Sequence, residues 1–336
     1  MSSFGLGDLA ASYQNNVQNL RIKSDLARLS QELATGTRSD LKAATGGDLS
    51  GFSGIESALA KMSAYKIAAN EAAFYGDTVQ QSLGQVQDLG AAIAPTLITS
   101  GNIGTTTAIQ SAAADARSKF SSVVSLMNTR LADRALFSGV AVNTAALASA
   151  DNILASLETA IAAETTASGI ETVVDDWFDA SGGGFETVGY LGATTDIAAL
   201  RIGMHETAEI QVRADDQEIR EVLKGFALAA LVDRGALSGQ IVEQADLISR
   251  AGTQLMAADG GLADLRAQIG ATESQIEQAI VRNTAETAAL QTARTNILAI
   301  DPFETATMLQ TTEVQLETLY AMTARLSRLS LVDYLR

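Results

Sequence analysis

Isoleucine or leucine recurs at every seventh residue from Ile241 through Ile248, Leu255, Leu262 and Ile269 to Ile276, and Leu290 and Ile297 keep the same phase. Three residues beyond five of these positions stand Ala251, Ala258, Leu265, Thr272 and Ala279. A sustained seven-residue seam with small residues in its second position belongs to a long helix lying close along a partner. The period is that of helix rather than strand. Gly252, Gly260 and Gly261 fall inside the pattern, where a distortion of the helix is expected.

The seam runs into a second long stretch, residues 301–336. Asp301-Pro302-Phe303-Glu304 supplies a capping carboxylate, a proline at the first helical position and a glutamate three residues after the cap. Leu309, Leu316, Leu319, Leu326 and Leu329 then recur at spacings of seven and three, a narrow stripe that needs a partner helix. The N-terminal end offers one. Leu6, Leu9, Tyr13, Val17 and Leu20 form a helical stripe, and Ile22, Leu26, Leu29 and Leu33 form a second, rotated one. Two displaced stripes on one helix indicate more than one neighbour. Gly36 stops that helix, and residues 35–54 read as a structured turn.

Between the ends, the four-three spacing predicts a helix from Ile55 to about Leu97 and, after a loop over 100–104, another to about Leu136. The middle changes character. Residues 151–163 read as a short helix, 175–184 as an acidic glycine-rich loop, and Leu200–Met204 with Ala208–Val212 as a hairpin around His205-Glu206-Thr207. Asp215 or Asp216 then caps a helix carrying Ile219, Val222, Leu223, Phe226 and Leu231 on one face. In 141–234 there are 5 Lys/Arg against 16 Asp/Glu, whereas the remainder has 18 against 23. The acidic excess of the chain, −16 overall, is therefore concentrated in its middle.

That charge argues against nucleic acid as a partner. The longest apolar run is far too short to span a membrane, and neither end carries the Lys/Arg-rich face that anionic lipid attracts. The N-terminus lacks the basic and apolar regions of a cleavable signal peptide. With no cysteine, disulfides, thiol catalysis and cysteine metal sites are excluded.

No constellation carries chemistry. His205 is the only histidine, and it falls on a hairpin tip. Asp175, Asp176 and Asp179 beside Gly182–Gly184 lack the alternating ligands and closing glutamate of a calcium loop. The glycines of 46–54 lack the Lys-Ser/Thr of a phosphate loop, and Gly51-Phe52-Ser53-Gly54 misses the nucleophile elbow by one position. Glu273, Glu277 and Glu286 read as the wet face of a coiled coil. The sequence thus offers no catalytic, cofactor-binding or metal-ligating set, and no enzyme is expected.

Several stretches together resemble the bacterial flagellin family, closest to its hook-associated members. They are Leu26-Ala27-Arg28-Leu29-Ser30-Gln31-Glu32-Leu33-Ala34-Thr35-Gly36, Leu136-Phe137-Ser138-Gly139 with Asn143-Thr144, and Arg266-Ala267-Gln268-Ile269-Gly270-Ala271. Asp301-Pro302-Phe303-Glu304-Thr305-Ala306 and Leu329-Ser330-Leu331-Val332-Asp333-Tyr334-Leu335-Arg336 complete the set. The chain departs from the family after Gly36, where Arg38-Ser39-Asp40 and Gly47-Asp48 match only loosely.

The expected fold is mainly α: long N- and C-terminal helices packed as a coiled-coil bundle with a small α+β domain inserted in the middle. Residues 1–140 with 235–336 would form the helical core, 1–35 and 301–336 the assembly coiled coil, and 141–234 the acidic outer domain. The resemblance implies a structural protein that adapts hook to filament and is exported by the flagellar type III system without a cleaved signal peptide. Its place would be the extracellular flagellum, at the hook–filament junction. The implied partners are copies of itself in a ring or tube, a hook-side hook-associated protein, flagellin or a filament-side junction protein, and a cytoplasmic export chaperone. The filament subunit itself and a cytosolic coiled-coil scaffold are the alternatives. The expected interface residues are Leu6, Leu9, Tyr13, Val17, Leu20, Leu26, Leu29, Leu33, Leu309, Leu316, Leu319, Leu326, Leu329 and Leu335.

Overall fold

The computed structural model describes residues 6–334, with backbone alone for 6–9, 11, 43 and 326–334. Helices α1 (Leu6–Thr35), the single turn α2 (Leu41–Ala44), α3 (Ser50–Ile103) and α4 (Thr106–Met127) come first. Strands β1 (Arg130–Leu131) and β2 (Arg134–Ala135) follow, then α5 (Ala150–Ala160), α6 (Ala167–Asp179) and a π-helical turn, Phe185–Gly189. Strands β3 (Leu200–Arg201) and β4 (Thr207–Ala208), then α7 (Gln217–Asp233), α8 (Ile241–Leu298) and α9 (Pro302–Tyr334) complete the order. Helix takes 74% of the chain, so the fold is mainly α, as the periodicity requires.

Two compact units result, Met1–Ser63 with Ala285–Arg336, and Ala64–Thr284. In the second unit α3 and α8 run antiparallel, with Gly76 beside Glu273 and Gly101 beside Ala245, and the seven-residue seam of α8 is buried in the core. Ile248, Leu255, Leu262, Ile269 and Ile276 are all buried, as are Ala251 and Ala258. Glycines let the two backbones approach: a Cβ on Gly252 would lie 2.7 Å from the Ala94 carbonyl, and one on Gly101 2.6 Å from that of Ala245. Gly252 therefore serves close packing, Gly260 faces open space, and neither breaks the helix. Gln80 reinforces the pair by donating to the Arg266 carbonyl at 2.7 Å, and Gln87 donates to Asp259 at 2.9 Å.

The core of this unit is built on α4 and α7, which pack together. The sequence assigns α7 one apolar face, yet Val222–Val232 are buried all round. Within that run Gly225 admits Leu255 of α8 where a Cβ would stand 2.6 Å away. Phe120, Phe137, Phe178, Phe185 and Phe226 fill the same core.

Three local expectations are corrected. The helix expected to reach Leu136 stops at Met127, where Asn128 turns the chain by exchanging hydrogen bonds with the Leu147 backbone at 2.8 and 2.9 Å. The β1–β2 hairpin replaces its last turns. Residues 100–103 continue α3 rather than forming a loop, and Pro95 sits exposed within that helix. Asp175, Asp176 and Asp179 lie in α6, where Thr166 caps the N-terminus through its hydroxyl. The expected β3–β4 hairpin is present but short, with Leu200 opposite Ala208.

Candidate assembly interface

The first unit is organised by two breaks in its helices. Gly36 ends α1 in the left-handed region, at φ +71°, with its N–H bonded to the Glu32 carbonyl at 2.8 Å. The Arg38 N–H donates to the Leu298 carbonyl at 2.7 Å, and the Ile300 N–H donates to the Gly36 carbonyl at 3.2 Å. Thr37 and Ala299 consequently face each other in an isolated antiparallel bridge. The buried Glu32 carboxylate accepts the Ser39 N–H at 2.9 Å and pairs with Arg28 at 3.2 Å. Across the bridge, Asp301 caps α9 by accepting from the N–H groups of Phe303 and Glu304 at 2.9 and 3.2 Å.

From these breaks α1 and α9 run side by side and antiparallel. The covered residues of α1 are Asn15, Asn19, Ile22, Leu26 and Leu29, with Asp25 and Glu32 beside them; those of α9 are Thr305, Leu309, Thr312, Leu316 and Leu319. Both sets step by four and three, the spacing that keeps one face on a partner. Burial is complete only near the bridge, at Leu29, Glu32 and Thr305. Farther along, Lys23 sits 5.8 Å from the centre of the Tyr320 ring. Its hydrogen bond, with a smaller one from Asn19, holds the Tyr320 hydroxyl below its ordinary pKa.

The other faces of the pair carry uncovered apolar side chains. Tyr13 is 72% and Leu20 70% exposed on α1, with Val17 on the same stripe; on α9, Val314 and Met322 are 55% and 61% exposed. The sequence groups the terminal leucines as one interface, whereas the described residues divide into two. Leu26, Leu29, Leu309, Leu316 and Leu319 lie in the seam within the chain, while Tyr13, Val17, Leu20 and Leu33 are exposed. Leu6, Leu9, Leu326 and Leu329 are helical, their side chains outside the described residues, and Leu335 lies outside them altogether. Asn15, Asn19, Thr305 and Thr312 are polar and so belong to no apolar stripe of the sequence. The phase of Thr305 and Thr312 with Leu309 and Leu316 is the signal that could have found them.

Elsewhere, His205 is exposed on the turn joining β3 to β4. Asp175 and Asp179 are engaged with the buried Lys224, as is Glu221. Among the described residues no helix is long and apolar enough to cross a membrane.

The class defined here is a long-helix protein whose two chain ends pair with each other in one unit. Its C-terminal segment, residues 247–335, matches the bacterial flagellin C-terminal helical region, a stretch that takes in most of α8 and α9. A solved structure described as a candidate flagellar hook-associated protein from Vibrio parahaemolyticus aligns at a TM-score of 0.37 and 13% identity. That alignment covers 83% of this chain and 95% of the other, and likeness at this level carries no argument about function. None of the curated proteins compared with the sequence matches it.

Proposed function

We propose that this chain is a structural component of the bacterial flagellum that joins hook to filament, as the hook–filament junction protein (hook-associated protein 3), by polymerising through its terminal helices. The observation that carries the reading is the paired α1 and α9. One face of each is satisfied within the chain, and the other presents Tyr13, Val17, Leu20, Val314 and Met322 to solvent. Apolar side chains repeated along a helix pair with nothing over them suit burial against neighbouring copies. The flagellin-type segment at 247–335 supports the same setting. On this reading the chain leaves the cell by flagellar type III export without a cleaved signal. A cytoplasmic chaperone covers α9 beforehand, and the assembled neighbours are a hook-side hook-associated protein and flagellin or a filament-side junction protein.

Deleting the gene should leave hooks intact and release flagellin into the medium. Hooks that still bear filaments would overturn the junction role. A second reading, the filament subunit itself, is favoured by the match to the flagellin C-terminal region. It would appear in the same strain as bare hooks with no flagellin shed.

A further inference from the structure

An apolar cavity of ≈ 300 Å³ lies in the unit Ala64–Thr284, between α3 and the two hairpins. Phe74 and Tyr75 of α3 line it, together with Leu131 and Leu136 around the first hairpin and Leu200 and Ile210 around the second. Its mouth is marked by Phe74, 60% exposed, and by the Arg134–Glu71 pair, whose side chains are also open to solvent.

The polar side chains of the wall are already engaged. The Tyr75 hydroxyl donates to the Leu136 carbonyl at 2.8 Å, and burial raises its pKa to about 12. Arg134 and Glu71 meet each other at 3.5 Å. Among the described residues one buried side-chain polar atom lacks a partner, Nε of Arg220, and Arg220 does not line the cavity. A hydrogen-bonding group carried into the interior would therefore be buried unpaired, at a cost that opposes binding. Water meets the same obstacle, since a buried water needs roughly two to four polar partners. An apolar cavity of roughly 150 Å³ lined by aliphatic and aromatic side chains stays dry and takes up benzene. The cavity beside Tyr75 offers about twice that room.

We infer that the Phe74–Tyr75 cavity is a binding site for a small uncharged hydrophobic molecule of about ten carbon atoms. The size follows from the volume, and the lack of charge from the wall. A carboxylate at the mouth would have to displace Glu71 from Arg134, and an ammonium would have to displace Arg134 from Glu71. Every lining residue lies in the unit Ala64–Thr284, so occupancy does not depend on polymerisation through the terminal helices. An occupant touches α3 and both hairpins at once and so ties the hairpins to the helix.

Naphthalene, which has that size and no hydrogen-bonding group, is the probe. Titrated into the full-length chain in a calorimeter, it should bind with a dissociation constant of about 10–100 μM. The amides of Leu136 and Ile202 are bonded across the two hairpins, to the carbonyls of Thr129 and Glu206. With free naphthalene at about three times the dissociation constant, both should exchange about four-fold more slowly, while Gly36 in the other unit is unaffected. The charged analogue 2-naphthoate should bind about ten-fold more weakly or worse. Ala208→Leu and, separately, Leu200→Trp enlarge side chains that line the cavity, and each should weaken naphthalene by about ten-fold or more in a chain whose circular dichroism is unchanged. Absence of binding, equal or tighter binding of the naphthoate, or undiminished binding by a folded filled variant would overturn the site. Should neither variant fold, unchanged exchange at Leu136 and Ile202 in the naphthalene-bound parent would overturn it alone.

Discussion

Thr37 and Ala299 stand opposite each other in the bridge that joins the end of α1 to the start of α9, flanked by the Arg38–Leu298 and Ile300–Gly36 hydrogen bonds. Because those bonds lie on the neighbouring residues, the two form a non-hydrogen-bonded antiparallel pair. Such pairs bring Cα atoms to about 4.5 Å, within the range a disulfide requires. Thr37→Cys with Ala299→Cys should therefore close quantitatively in air, with no competing thiol. The chain-entropy model allows up to about 5 kcal/mol of stabilisation for so long a loop. Mass spectrometry of the unreduced chain and its unfolding midpoint with and without reductant measure both effects. Persistent free thiols would mean that the two linkers do not meet.

Glu32 holds the same junction from the other side. Its buried carboxylate receives the Ser39 N–H, so Glu32→Ala leaves that donor without its partner and also releases Arg28. A loss of about 1–3 kcal/mol is expected. Faster hydrogen exchange should appear at Ser39 and Arg38, while α7 keeps its protection. Glu32→Gln, which retains an acceptor oxygen, should recover part of the loss.

How much of this was legible in the sequence varies with the range of the interaction. The burial of Ile248, Leu255, Leu262, Ile269 and Ile276 follows from a period that only a long helix satisfies. The Asp301 cap follows from four consecutive residues. The surroundings of α7 do not, because α4 and α8 reach it from distant parts of the chain, while Asp175 and Asp179 of α6 engage Lys224, a buried position that periodicity alone assigns to solvent. The division of the terminal leucines into covered and exposed sets was likewise hidden. Apolar character is the same in both, and only the neighbour distinguishes Leu29 from Leu20.

Lys224 is 3% exposed and contacts Asp175, Asp179 and Glu221. Burial opposes its charge, but the hydrogen bonds to Asp179 and Glu221 outweigh that opposition, and its pKa is raised. Lys224→Met should therefore destabilise the α6–α7 contact by about 3 kcal/mol. This sits at the lower end for such pairs because the carboxylates are partly open to water. Adding Asp179→Asn to the same chain should return part of the loss by relieving the repulsion. A Lys224→Met chain as stable in urea as the parent would show that the cluster contributes nothing.

Alkali should weaken the second unit through Tyr75. Burial raises its hydroxyl from 10.0 to about 12. A group whose folded pKa lies above its unfolded one contributes stability that is complete below the unfolded value and lost as pH rises through the folded value. The loss attached to Tyr75 falls between about pH 10 and 12 and amounts to about 3 kcal/mol. Raised Lys224 acts in the same direction. Tyr75→Phe should cost about 1 kcal/mol at neutral pH, from the bond to Leu136, and make the alkaline decline shallower. An unchanged slope would remove Tyr75 from the account.

The divided terminal interface makes the sharpest demand. If Leu29 belongs to the seam within the chain and Leu20 to a surface between copies, their substitutions should fail in different ways. Leu29→Ala removes a buried side chain beside the Thr37–Ala299 bridge and should cost about 2–4 kcal/mol in the unfolding of the monomer. Leu20→Asp changes a side chain that is 70% exposed and should alter monomer stability by no more than about 0.5 kcal/mol. In a polymer the order reverses. An aspartate at position 20 would be buried without a partner at every subunit contact, so assembly and motility should be lost from a chain that folds and is exported normally. Val17→Asp should behave like Leu20→Asp, because it lies on the same stripe and is also exposed. Filaments of ordinary length on cells carrying either aspartate would show that the exposed face of α1 takes no part in assembly.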